Sequence, residues 1–189
     1  QSSMGDPIRF RSFTNGKHAW IGNTRLPNVG ESEATYQGAL AALSNAKATK
    51  DAMVFMGGCK LASAISGRSY QRPASWAPAA RQATVSEEVN IADLNLGPMP
   101  GCSIRDANGN PDEHDERINP GGDDMRFATL TTHPRRQGVY VTLPRVFAPT
   151  GSDFEIMPNR LVMNLAYEAL QDYLQGRLHR PIIVSRATG

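Results

Sequence analysis

The residues best equipped for chemistry gather between positions 103 and 124. Asp106-x-Asn108-Gly109-Asn110-x-Asp112 offers carboxylate and amide oxygens, the ligands that a hard cation such as calcium takes. An EF-hand loop needs glycine sixth and an acid twelfth. Here glycine is fourth, at Gly109, and the twelfth residue is Arg117, so that motif is absent and only a less regular calcium site is left open. Glu113-His114-Asp115, joined by distant His133, would supply the acid–base groups of a hydrolytic or metal centre. Adjacent side chains on one loop converge on a substrate only where a scaffold aims them, and the chain has no HExxH pair and no GxSxG elbow. Gly57-Gly58 follows an apolar run but lacks both glycine-rich phosphate signatures, which leaves a tight strand exit. Cys59 and Cys102 stand 43 positions apart with no CxxC pair and no regular histidine spacing. They read as reduced, partly buried thiols of a reducing compartment. The residues therefore point to no catalytic group, no metal and no cofactor. A hydrolase or metal-binding domain on the acidic loop is the minor alternative.

The elements that would hold these residues follow from periodicity. Ile8 to Phe10 and His18 to Ile21 flank Thr14-Asn15-Gly16-Lys17, the strongest short hairpin signal. Tyr36, Leu40 and Leu43 recur at helical spacing and predict a helix over 32–46, with Glu31 and Glu33 near its positive end. Met53-Val54-Phe55-Met56 reads as a buried strand. Residues 59–82 permit two short helices, one around Leu61 to Ile65 and one from Trp76 to Ala83, and 85–96 permits strand or loop. Arg126 to Thr132 and Val139 to Leu143 predict two strands joined as a hairpin through His133 to Gly138. Asn159 to Leu178 is the clearest helix: Val162, Ala166, Leu170 and Leu174 form one stripe, widened by Leu161, Leu165 and Ala169. Ile182-Ile183-Val184 reads as a last strand. The expectation is one α/β or α+β domain over 1–189, a mixed β-sheet packed by a few helices, with a loop-rich middle and a long C-terminal helix. Gln1-Ser2 reads as a remnant of protease processing, and the chain is expected to be a piece of a longer one.

Composition narrows the class. In 189 residues the apolar share is 40%, the charged share 20% and the net charge +2, while 17 glycines and 13 prolines make loops a large part of the chain. That excludes a coiled coil, a collagen and a disulfide-stapled miniprotein, and no apolar run is long enough for a membrane span. So small a net charge argues against a nucleic-acid surface. Charge is unevenly placed, however. Residues 103–124 hold seven acids against two arginines, a net of −5, and read as a solvated acidic excursion. Residues 125–189 carry eight basic groups against four acids. A chain acidic in one place and basic in another can meet copies of itself head to tail, and such contacts build rings or helical filaments. The candidate self-association surface is Asp112, Glu113, Asp115 and Glu116 against Arg135, Arg136 and Arg145.

Several stretches resemble the contractile tail sheath proteins of bacteriophages and related injection systems. They are Asp123-Asp124-Met125-Arg126-Phe127-Ala128-Thr129-Leu130-Thr131-Thr132, Gly138-Val139-Tyr140-Val141-Thr142, Ser152-Asp153-Phe154 and Arg160-Leu161-Val162-Met163-Asn164-Leu165-Ala166. Upstream, Tyr36 to Leu43 before Met53–Met56 is similar to the helix–strand unit of the sheath α/β domain. Trp76 to Ala80 followed by Leu96-Gly97-Pro98-Met99-Pro100-Gly101 has the same look. The resemblance implies a non-enzymatic subunit of a virion tail, assembled in the bacterial host cytoplasm. Its implied partners are copies of itself and a tail tube protein, and it implies neither membrane, nucleic acid nor small-molecule substrate. Sheath subunits are longer than this chain, and their strand-exchanging terminal arms are not identifiable here. No residue carries over as a site, because the family works through interfaces. A baseplate or connector subunit is the alternative structural role.

Overall fold

The computed structural model describes residues 10–11, 20–46, 52–63, 65–106, 108–110, 112–175 and 177. A β–α–β unit organises them. Strand β2 (Trp20–Asn23) runs parallel to β3 (Ala52–Phe55), with Trp20 opposite Ala52 and Asn23 opposite Phe55. Helix α1 (Glu33–Ala46) lies between them in the chain and makes the crossover that a parallel pair requires. A short strand, β1 (Phe10–Arg11), adds antiparallel to β2. This is the pairing expected of the first hairpin, whose Asn15-Gly16 turn lies outside the described residues.

Strand alternation then divides the interior. Along β3 half-buried and buried positions alternate. Met53 and Phe55 enter the larger core with Ile21, Ile91, Ile104, Leu130 and Val141. Val54 packs on the other side, against the smaller cluster of Tyr36, Leu40, Met56, Phe127 and Phe147. The free edge of β3 is taken by later chain: the Ala128 N–H donates to Val54 O (2.9 Å), the Met56 N–H to Ala128 O (3.0 Å) and the Phe147 N–H to Ala52 O (2.7 Å).

Strand β4 (Gly58–Ala62) is the middle of a second sheet, antiparallel to β5 (Ser69–Pro73) on one side and β6 (Cys102–Ser103) on the other. The expected short helix around 61–65 is therefore replaced by a strand at 58–62. Weak local helix preference gives way where two neighbouring strands offer ladder partners to the same backbone. Helix α2 (Trp76–Thr84) forms where expected, and 85–96 is loop with one 3₁₀ turn at Leu94–Leu96. Strands β7 (Leu130–His133) and β8 (Arg136–Val141) make the expected hairpin, turning at Pro134-Arg135 with a register shift at Thr132/His133. Mixed sheets with three helices, the last of them long, make this an α+β arrangement.

Helix α3 (Met157–Gln175) spans 19 residues, a length of about 28 Å. Its first turn is anchored, since Met157, Pro158 and Leu161 are buried. The long C-terminal helix is thus present as expected, but beyond that turn its apolar stripe is exposed. Val162, Leu170 and Leu174 do not face the core, and Met163, Leu165, Tyr167 and Tyr173 are exposed with them. Periodicity detects an apolar stripe and is blind to what covers it. Among the described residues no helix is long and apolar enough to cross a membrane. The run Ile182-Ile183-Val184 lies outside the described residues.

Candidate functional site

The sharpest polar constellation is assembled where β3 ends. Gly57 turns the chain from β3 into β4 at φ +80°, and a Cβ there would lie 2.9 Å from the Cβ of His114. A Cβ on Gly58 would lie 2.6 Å from Glu113 Oε2. The glycine pair is a strand exit, as its sequence implies, and its lack of side chains lets the acidic segment lie directly against it. Tyr36 holds the turn: its buried hydroxyl accepts the Gly57 N–H (3.0 Å) and donates to Arg25 O (2.8 Å).

His114 is the centre of the cluster, with a side chain only 1% exposed. Nδ1 meets Glu33 Oε1 of α1 at 2.6 Å and Nε2 meets Glu116 Oε2 at 3.0 Å. Burial works against a charged ring. The Glu116 and Glu33 carboxylates outweigh it, carrying the pKa up to about 9. The imidazolium therefore donates both protons, one to each carboxylate. Glu33 is held below the usual carboxylate range by that bond. Burial opposes the charge of Glu116, but His114 and the N–H groups of Gly121 (2.8 Å) and Asp123 (3.3 Å) hold it low as well. Beside it, burial and the Glu116 charge push Asp123 up to about 6.

Asp115 and Glu113 are also absorbed by the fold. Asp115, 1% exposed, accepts from Thr132 Oγ1 (2.6 Å), Thr131 Oγ1 (3.3 Å) and the Arg117 N–H (3.1 Å). Glu113 accepts from Gln71 Nε2 at 2.5 Å, and burial pushes its pKa up. Asp106 closes its own loop by accepting the N–H groups of Asn108 and Asn110, both at 2.8 Å. Asp112 is exposed and paired with Lys60.

Residues 113–115 are therefore not part of a solvated excursion. An interior of hydroxyls, amides and one imidazolium makes their burial tolerable. This also corrects the expected contact surface, because Glu113 and Asp115 are buried and the Glu116 side chain is only 10% exposed. Arg145 is turned inward too, pairing with Glu155 and donating to Asp123 O (2.9 Å). Arg135 and Arg136 are exposed, and Arg136 donates to Leu94 O (3.2 Å).

Chemically, the cluster binds α1 to the 113–123 segment. An imidazolium with both N–H groups donated has no lone pair for a metal or a substrate proton. His133 does not join it; its ring stands edge-on to Tyr140 at 5.1 Å. Among the described residues no group of three His, Cys, Asp or Glu side chains could hold a metal ion. Cys59 and Cys102 are free and buried in adjacent strands. The hydrogen bond with Cys59, and after it burial, push the Cys102 thiol far up, which makes it a poor nucleophile.

Sequence reasoning missed two features. Glu33 lies 81 positions from His114, so no spacing connects them. The exposed rings of Tyr70 and Trp76, with the Arg72 guanidinium 5.6 Å and 5.4 Å from their centroids, lie within seven consecutive residues, and that spacing was a signal the sequence did offer.

No family model matches the chain, and no curated protein matches it. Among solved structures it is similar to the sheath complex of an extracellular contractile injection system, PVC, in the contracted state. That match has a TM-score of 0.51 and 16% identity, and it covers 88% of this chain and 43% of the sheath chain. The helical sheath of the anti-feeding prophage, also contracted, aligns at a TM-score of 0.47 and 13% identity over 80% of this chain and 46% of that one. The chain thus shares the fold of a contractile injection-system sheath, as its sequence resemblance implies. It spans less than half the length of either sheath chain.

Proposed function

We propose that the protein is a structural subunit of a contractile, tail-like assembly that associates with copies of itself in rings around a tail tube. The supporting observation is the fold shared with the PVC sheath over 88% of the chain. A polar interior spent on internal cross-links rather than on an open site is consistent with that role. In this reading the subunit belongs to the tail of a phage or phage-like particle assembled in the bacterial cytoplasm, and it carries no enzymatic activity. Of the charged surface expected from sequence, Asp112, Arg135 and Arg136 remain the groups that face outward and could steer neighbours together.

Negative-stain electron microscopy with light scattering across a concentration series tests the proposal. Rings, stacked rings or tubes are the expected outcome. A mass that stays at one subunit throughout would overturn it. Reversing Arg135 and Arg136 to Glu should weaken assembly, and more so at low salt, where exposed charges are least screened.

A further inference from the structure

Outside its first turn, α3 presents large apolar side chains from Val162 to Leu174 that are 44% to 67% exposed. At 3.6 residues per turn they cover an arc of about 200°. They leave on the order of 600 Å² of apolar surface on one helix, the upper end of what an ordinary monomer shows. Matched by a similar area on a partner, the contact would hide on the order of 1,200 Å², the lower limit for a specific interface.

The geometry points to a second copy of this chain as the occupant, with α3 of one subunit docking on β5 and the start of α2 of the next. This rests on the sheath reading. β5 is the outer strand of its sheet and is exposed at four of its five residues. Tyr70 and Trp76, 43% and 38% exposed, flank Arg72 there. Charge is complementary: 162–177 carries Glu168 and Asp172 against Arg177, whose guanidinium lies 4.3 Å from the Tyr173 ring centroid, while 63–76 carries Arg68 and Arg72 and no acid. Two different faces also make the contact heterologous, so it repeats from copy to copy, whereas α3 paired with α3 would close as a two-fold dimer and stop.

Sedimentation velocity on the full chain, run beside electron microscopy, tests this. Leu170→Glu should raise the dissociation constant by at least about tenfold with no change in melting temperature, because Leu170 is already 54% exposed. Asp172→Arg and Arg72→Asp should each weaken assembly, and the two combined in one chain should restore it. If wild type assembles and Leu170→Glu assembles equally well, α3 is not the docking face, while the sheath reading stands. Loss of assembly without rescue by the charge exchange overturns β5 as the counterpart. A discrete dimer that Leu170→Glu dissolves overturns the heterologous contact in favour of helix pairing. A wild type that is monomeric at every concentration removes the sheath reading and this surface together.

Discussion

The knot around His114 and the outer turns of α3 break the same rule in opposite directions. Around His114, charged groups are inside. On α3, large apolar groups are outside. The knot is complete within one subunit: each ring nitrogen has a carboxylate, and the Glu116 carboxylate also accepts backbone N–H groups. On α3 the Arg177 guanidinium lies over Tyr173, and the large apolar side chains from Val162 to Leu174 stay 44% to 67% exposed. A buried charge with all its partners present explains itself as structure. An apolar face without a covering element is incomplete, and it directs attention to what lies beyond the subunit. Here the polar residues turn out to be scaffold and the hydrophobic ones carry the functional question.

The contrast is most severely tested by His114→Ala. Removing the imidazolium leaves the Glu116 and Glu33 carboxylates facing each other without the cation that joined them, and the expected loss is about 3 kcal/mol, read by denaturant unfolding. A value near zero would mean that the knot is not what holds α1 to the acidic segment. Gly58→Ala is next. Its Cβ would meet Glu113 Oε2 and Leu26, a crowding expected to cost about 2 kcal/mol. An unchanged midpoint would show that the segment can draw back from the strand exit freely.

The pH dependence separates the parts of the knot. The pKa of His114 is raised, so its contribution is fully present below its ordinary value near 6.5 and is lost as pH rises through about 9. Glu33 and Glu116 are lowered, so theirs is present above about 4.5 and lost as pH falls through their folded-state values. Stability should therefore be greatest between about pH 4.5 and 6.5 and should decline on both sides. Asp123 has the opposite sign. Its raised pKa means the charged form is disfavoured in the fold, so wild type loses stability as pH climbs through about 6. Asp123→Asn should gain about 1 kcal/mol at pH 7.5 after solvent screening, and that gain should vanish near pH 3.5. Thermal melts of both proteins across this range give the answer.

The smallest effect is expected on α3. Leu170→Ser or Leu174→Ser should leave stability within about 0.5 kcal/mol of wild type, despite replacing large apolar residues. A loss of several kcal/mol from either would mean that the subunit itself buries this face, and the contrast with the knot would dissolve.

Much of the architecture was readable from local pattern. The apolar alternation of 53–56, the helical spacing of Tyr36, Leu40 and Leu43, and the two strands around Pro134-Arg135 each appear close to where periodicity put them. These elements are legible because the neighbours that define them are a few residues away. Strand β4 was not, since its ladder partners come from β5 and from β6 some forty positions on. The acidic segment was misread for the same reason. Composition alone describes it as solvated, and its hydrogen-bonding partners Glu33, Gln71, Thr131 and Thr132 all come from elsewhere in the chain.

Sequence by itself determined the helices, most strands, the glycine exit at 57–58 and the resemblance to contractile sheaths, because each depends on residue type at short spacing. Tertiary structure alone decided which charges are inside and which apolar residues are outside. Burial belongs to pairs of surfaces, and a stripe such as Val162, Ala166, Leu170 and Leu174 is written identically whether its partner is the core of the same subunit or the surface of the next.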